Sequence, residues 1–143
     1  AVQASGPIQI IANSTGSNLT LNASVTSTAS SVNLNAAGQL VLAVNGDVTA
    51  SGGLARLQAG DALSMSATVS NVRTERAVTA TGSVWLQSGT ALSLGQVNAS
   101  GQSVTIQAGG AIIDGDSATD ITAGSLSITT TALGTASDAI ETR

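Results

Sequence analysis

Set beneath one another, the segments that begin at Val32, Val84 and Val104 align as one three-part unit. Each opens apolar-x-apolar, takes a short polar step, gives a second apolar pair, and closes after a variable connection on Val or Ile followed by x-Ala-x-Gly or x-Ala-Gly. A fourth copy runs from Ala55 through Leu57, Leu63, Met65 and Val78. A fixed period of this kind is the signature of stacked repeat architectures and outranks any local motif. The equivalent positions form columns. Leu34, Leu57, Leu86, Ile106 and Ile128 make one, at intervals of 23, 29, 20 and 22 residues. Leu19, Leu40, Leu63, Leu92 and Ile112 make a second, completed two residues on by Leu21, Leu42, Met65 and Leu94. Val25, Val48, Val78, Val97 and Ile121 make a third, with Ala50, Ala80, Ala99 and Ala123 two positions later.

Alternation with a period of two inside each segment predicts strands with one buried face. Helix is disfavoured by the β-branched residues at these positions, by frequent Gly, and by the lack of any lasting 3.6-residue stripe. Three short strands cannot close a core within a single turn, so the turns must stack. The expected fold is all-β: a right-handed parallel β-helix (solenoid) of about six turns, three strands and 20 to 29 residues per turn, roughly 29 Å long at about 4.8 Å per turn. Residues 1–143 read as one such segment, a piece of a longer repeat protein, with corners marked by glycines such as Gly60, Gly101 and Gly109.

Composition agrees with a solenoid and removes several functions. The chain is 8% charged, 1% aromatic and 42% hydrophobic with a formal charge of −4, against about 25% charged in an average domain. Recurrent Val, Leu and Ile argue against disorder, which pairs low hydrophobicity with high net charge. The basic residues are Arg56, Arg73, Arg76 and Arg143 alone, too few and too scattered to follow a run of phosphates, so no nucleic acid is expected. No apolar run reaches the 18 or so residues of a membrane span, so no membrane insertion is expected either. Cys, His, Tyr and Lys are absent, which excludes Ser-His-Asp and Cys-His systems, Schiff-base lysines and the usual zinc sites. Outside one acidic loop the carboxylates occur singly, so no enzyme is expected.

Charge concentrates where the repeat breaks. Residues 66–77 read as an inserted loop leaving the rod, and Arg73, Glu75 and Arg76 lie within it as a candidate recognition group or, more simply, as charges that keep a loop in water. Asp114, Asp116 and Asp120 fall within seven residues on a Gly-containing stretch. Three carboxylates there are the hard oxygen ligands calcium prefers, although the spacing is not an EF-hand and a solvated acidic turn is the plainer reading. Trp85, between inward Val84 and Leu86, points outward, where it can stack on a sugar or rest on a neighbouring segment such as 66–77. Outward Thr26, Thr49, Thr79, Asn98 and Thr122 stack into a hydroxyl-rich file, similar to ice-binding solenoids but broken at Asn98.

The segments GQLVLAVNGDVTASG (38–52), GSVWLQSGTALSLGQVNASG (82–101) and AIIDGDSATDITAGSLSIT (111–129) resemble the degenerate repeats of filamentous-haemagglutinin-like bacterial exoproteins and adhesins. The resemblance spans the chain from about Ile8 and rests on spacing and composition. It implies a β-helical shaft, an extracellular or bacterial cell-surface location, an outer-membrane secretion partner, and roles in adhesion, biofilm formation or contact-dependent competition. The family's amino-terminal secretion domain is not seen in these residues, and no functional residue maps across. The expected role is a structural adhesin shaft whose partners are neighbouring repeats. The alternatives are a module for surface glycans or host matrix, a self-assembling fibre subunit and, as a minor reading, an ice-binding solenoid.

Overall fold

A computed structural model describes residues 1–69, 72–114, 118–135 and 139–143, with the backbone alone at 66–69 and 72–75. After β1 (Val2–Ala4) the chain makes its first circuit with β2 (Ile8–Ala12), β3 (Leu19–Leu21) and β4 (Val25–Ser27). The second circuit is β5 (Val32–Ala36), β6 (Leu40–Leu42) and β7 (Val48–Ala50). The third takes β8 (Ala55–Ala59) and β9 (Leu63–Ser64), leaves through β10 (Ser66–Val69) and β11 (Val72–Glu75), and returns in β12 (Ala77–Ala80). The fourth has β13 (Val84–Ser88), β14 (Leu92–Ser93) and the start of β15 (Gln96–Ala108). The rest of β15 opens the fifth, followed by β16 (Ala111–Ile113) and β17 (Ile121–Thr129), which runs on towards β18 (Ala132–Leu133).

Strands of successive circuits pair in parallel, so the chain is a parallel β-helix. It has about five turns rather than the six expected, because β1 and the last strands belong to incomplete circuits. At roughly 4.8 Å per step, five turns rise about 24 Å.

Register follows the sequence columns. Leu34 pairs Leu57, Leu57 pairs Leu86, Leu86 pairs Ile106, and Ile106 pairs Ile128. The second file pairs Leu19, Leu40, Leu63, Leu92 and Ile112 in turn and extends to Leu133. The third pairs Val25, Val48, Val78, Val97 and Ile121. The middle column residues are fully buried, among them Leu57, Leu63 and Leu86. At about 1.5–3 kcal/mol for each large aliphatic side chain, these columns supply the main drive to fold. In the outermost rungs the cover thins, and Val2, Leu126 and Leu133 are exposed.

Small columns flank the large ones. Ser27 and Ser88 stand in otherwise alanine columns, and both are buried and satisfied. Ser27 Oγ donates to Gly6 O at 2.8 Å. Ser88 Oγ lies 2.9 Å from Asp61 O and 2.8 Å from Ala91 O and accepts the Leu63 N–H at 3.2 Å. At one corner Gly60, Gly89 and Gly109 stack so closely that a Cβ on any of them would strike the carbonyl oxygen of the turn before. Gly101, at φ +73°, lets β15 bend from the third file into the first without a break.

The corners also carry a ladder of side-chain oxygens. Asn18 Oδ1 accepts from the N–H of Gln39 (2.8 Å), Ser31 Oγ from Leu54 (3.1 Å), Asp47 Oδ1 from Ala77 (2.9 Å) and Asp120 Oδ2 from Glu141 (2.8 Å). Each acceptor sits just before a strand, and each donor holds the equivalent place one turn on. The bonds at Asp47 and Asp120 are partly buried, and there an N–H left without a partner would cost about 1–3 kcal/mol.

Candidate functional site

The insertion expected as a loop is a β-hairpin. β10 and β11 pair antiparallel, Ser66 with Glu75 through Val69 with Val72. Arg73 and Glu75 lie on β11, and their side chains fall outside the described residues. Arg76 does not join them on an exposed loop. It is at the point of re-entry, its N–H donating to Met65 O at 2.8 Å and its carbonyl accepting from Gln96 at 3.1 Å. Its side chain is buried and its Nε makes no hydrogen bond. The backbone thus puts Arg73 and Glu75 on the hairpin and Arg76 at its junction with the rod.

Trp85 points outward from β13 and is half-buried. It pairs in register with Arg56 of the turn before and Thr105 of the turn after. Arg56 places its guanidinium 4.4 Å from the ring centroid and donates from Nη2 to Gln58 Oε1 at 3.0 Å. A partly exposed cation–π contact of this kind is worth about 0.5–1 kcal/mol. The ring thus rests on a neighbouring rung. Beside it Asn35, Gln58, Gln87 and Gln107 stack in register as an outward amide file, bordering an open groove that Ser88, Gly89 and Thr129 also line. Flat aromatic and amide surface of this kind suits sugar rings and their hydroxyls.

The acidic residues give the densest chemistry. Asp114 follows β16 and Asp120 precedes β17, so both stand at the ends of the connection between those strands. Stacking adds Glu141, whose carbonyl accepts from the N–H groups of Asp120 (3.0 Å) and Ile121 (3.1 Å). Thr142 then bridges in parallel to Ile121. Asp114, Asp120 and Glu141 each bring a carboxylate oxygen within 4.8 Å of the other two. Asp114 and Asp120 are buried, Asp120 to 1% exposure, and Glu141 is half-buried. Asp120 Oδ1 and Glu141 Oε2 are shielded from solvent and accept no hydrogen bond. Asp116, the third member expected from the sequence, lies outside the described residues.

Three crowded carboxylates with little water cannot all remain charged without a counterion. Burial raises Asp120 from 3.8 to about 7; the Glu141 backbone N–H opposes the rise, while the Asp114 and Glu141 carboxylates add to it. The cluster must then hold a proton or a cation. Glu141 was missed in the sequence because it stands in a stretch with no repeat pattern, 21 residues beyond Asp120. Only the period itself, carried one turn further, points to it.

No family model, curated protein or solved structure matches the chain. The fold class is parallel β-solenoid, and among the described residues no helix is long and apolar enough to cross a membrane.

Proposed function

We propose that this chain is a structural shaft segment of a secreted or surface-anchored bacterial adhesin, non-catalytic, serving attachment or biofilm formation. The supporting observation is the constancy of the cross-section: three strand files keep register from rung to rung around a continuous aliphatic core. Such a body gains length by repetition, and each rung contacts only its neighbours. That suits a spacer. The polar outer files and the resemblance to exported exoproteins agree with an extracellular location and an outer-membrane secretion partner.

A second reading is a glycan-binding face, favoured by Trp85 on Arg56 beside the amide file. Both readings are tested by applying the isolated chain to a panel of glycans and extracellular-matrix proteins, alongside Trp85→Ala. The shaft reading expects silence from both proteins. Saturable binding that disappears in Trp85→Ala would replace it with the recognition module.

A further inference from the structure

We propose that Asp114, Asp120 and Glu141 form a calcium site that fastens the segment 139–143 to the rung beneath it. Two independent observations converge on it. One is the triad, with oxygens from two stretches of chain, one rung apart, within 4.8 Å of one another. The other is the state of Asp120, 99% buried by its 1% exposure, with its Oδ1 shielded from solvent and accepting no hydrogen bond. A buried carboxylate oxygen with nothing to accept is costly, and a hard cation removes that cost at Asp120 while neutralising the carboxylates crowded around it.

The ligand chemistry selects the ion. The donors are all carboxylate oxygens, which excludes softer metals that prefer nitrogen or sulfur. Magnesium keeps several of its waters in strict octahedral geometry, whereas calcium accepts six to eight oxygens irregularly, including bidentate carboxylates. A site of three carboxylates, two of them buried, suits calcium. Asp114 and Asp120 belong to the rung of β16 and β17, and Glu141 belongs to the next. In that next rung β17 and β18 are paired along β15 and β16, whereas the segment 139–143 is held through Ile121, Ala123 and Asp120 by backbone bonds at Glu141 and Arg143 and by partial burial of Ile140. A cation shared by Asp114, Asp120 and Glu141 makes the order of the segment 139–143 depend on calcium. The corner ladder continues through the site, since Asp120 uses Oδ2 for the Glu141 N–H and leaves Oδ1 for the metal. The site is independent of the shaft reading.

The test is calorimetric titration of the chelator-treated whole chain with calcium chloride, with thermal melting in calcium and in EDTA. Glu141→Gln and Asp114→Asn are the variants, because Asp120 also holds a backbone N–H. Saturable binding with a dissociation constant between about 10 μM and 1 mM is expected. The melting temperature should rise with calcium to a plateau, and binding should weaken at least roughly tenfold in both variants, with the β-sheet circular dichroism kept. If one variant fails to fold, the other carries the comparison. The proposal is overturned if the folded wild-type chain shows neither heat nor a melting shift, if both folded variants bind as well as wild type, or if magnesium binds equally.

Discussion

Replacing Leu86 by Ala tests whether the stacked columns are the core. Leu86 is fully buried in the fourth circuit, in register between Leu57 and Ile106, which are themselves fully buried. Truncation removes about three carbons, or about 2.4 kcal/mol of transfer free energy at roughly 0.8 kcal/mol per methylene. The neighbours are fixed by ladders above and below and cannot close the gap, so a cavity term brings the loss to about 3–5 kcal/mol. Leu133 provides the contrast. It is 50% exposed in an outer rung, so Leu133→Ala forfeits about half the transfer term and encloses no cavity, for about 1 kcal/mol. Guanidinium unfolding measures both, followed by circular dichroism for the whole sheet and by Trp85 fluorescence for the middle rungs. Trp85 is the sole tryptophan and adjoins the mutated position. Equal losses at the two sites, or less than about 1 kcal/mol at Leu86, would refute the argument that rung stacking seals this column.

Gly89→Ala sets a Cβ against the carbonyl oxygen of Gly60 and should cost about 1–3 kcal/mol as overpacking. Gly6→Ala, with open space around it, should change stability by less than about 0.5 kcal/mol, and thermal melting of the pair checks both. In calcium-free buffer, Asp120 holds its proton to about pH 7 when folded, against 3.8 as its ordinary value. The folded chain therefore binds more protons than the unfolded one between those limits, so stability is greatest below about pH 4 and falls as pH rises through about 7. Denaturant midpoints across that range should show the fall in wild type and a flatter profile in Asp120→Asn.

The columns were legible in the sequence because burial on one face of a strand forces apolar residues two apart, and stacking repeats them at each turn. Leu34, Leu57, Leu86 and Ile106 are spaced irregularly along the chain yet fall in register, since the length differences lie in the corners. The corners themselves were less legible. The break between Met65 and Val78 marked an insertion, but residues that leave the rod lack the column pattern, and nothing distinguished a loop from the β10–β11 hairpin. Arg76 read as part of the charged surface. Position placed it instead where the chain re-enters the rod, and there its stem is covered. The oxygen ladder of Asn18, Ser31, Asp47 and Asp120 uses residue types that also fill ordinary turns. Only the stacking geometry separates the two.

A solenoid assembles its chemistry by column. Residues 20 to 30 apart in the chain become neighbours at one strand spacing, so a local motif search tests the wrong distances. Arg56 and Trp85 are such a pair, one turn apart and in register, and Asp120 with Glu141 is another. The local acidic cluster supplied two of the three converging carboxylates, and the repeat period supplied the third. Where a corner oxygen already accepts the next rung's N–H, one further carboxylate in the same column turns a structural cap into a group able to bind a cation. Asp47 shows the difference. It caps Ala77 in the same way, but the equivalent position one turn on carries a methyl group, and the ladder there remains structural.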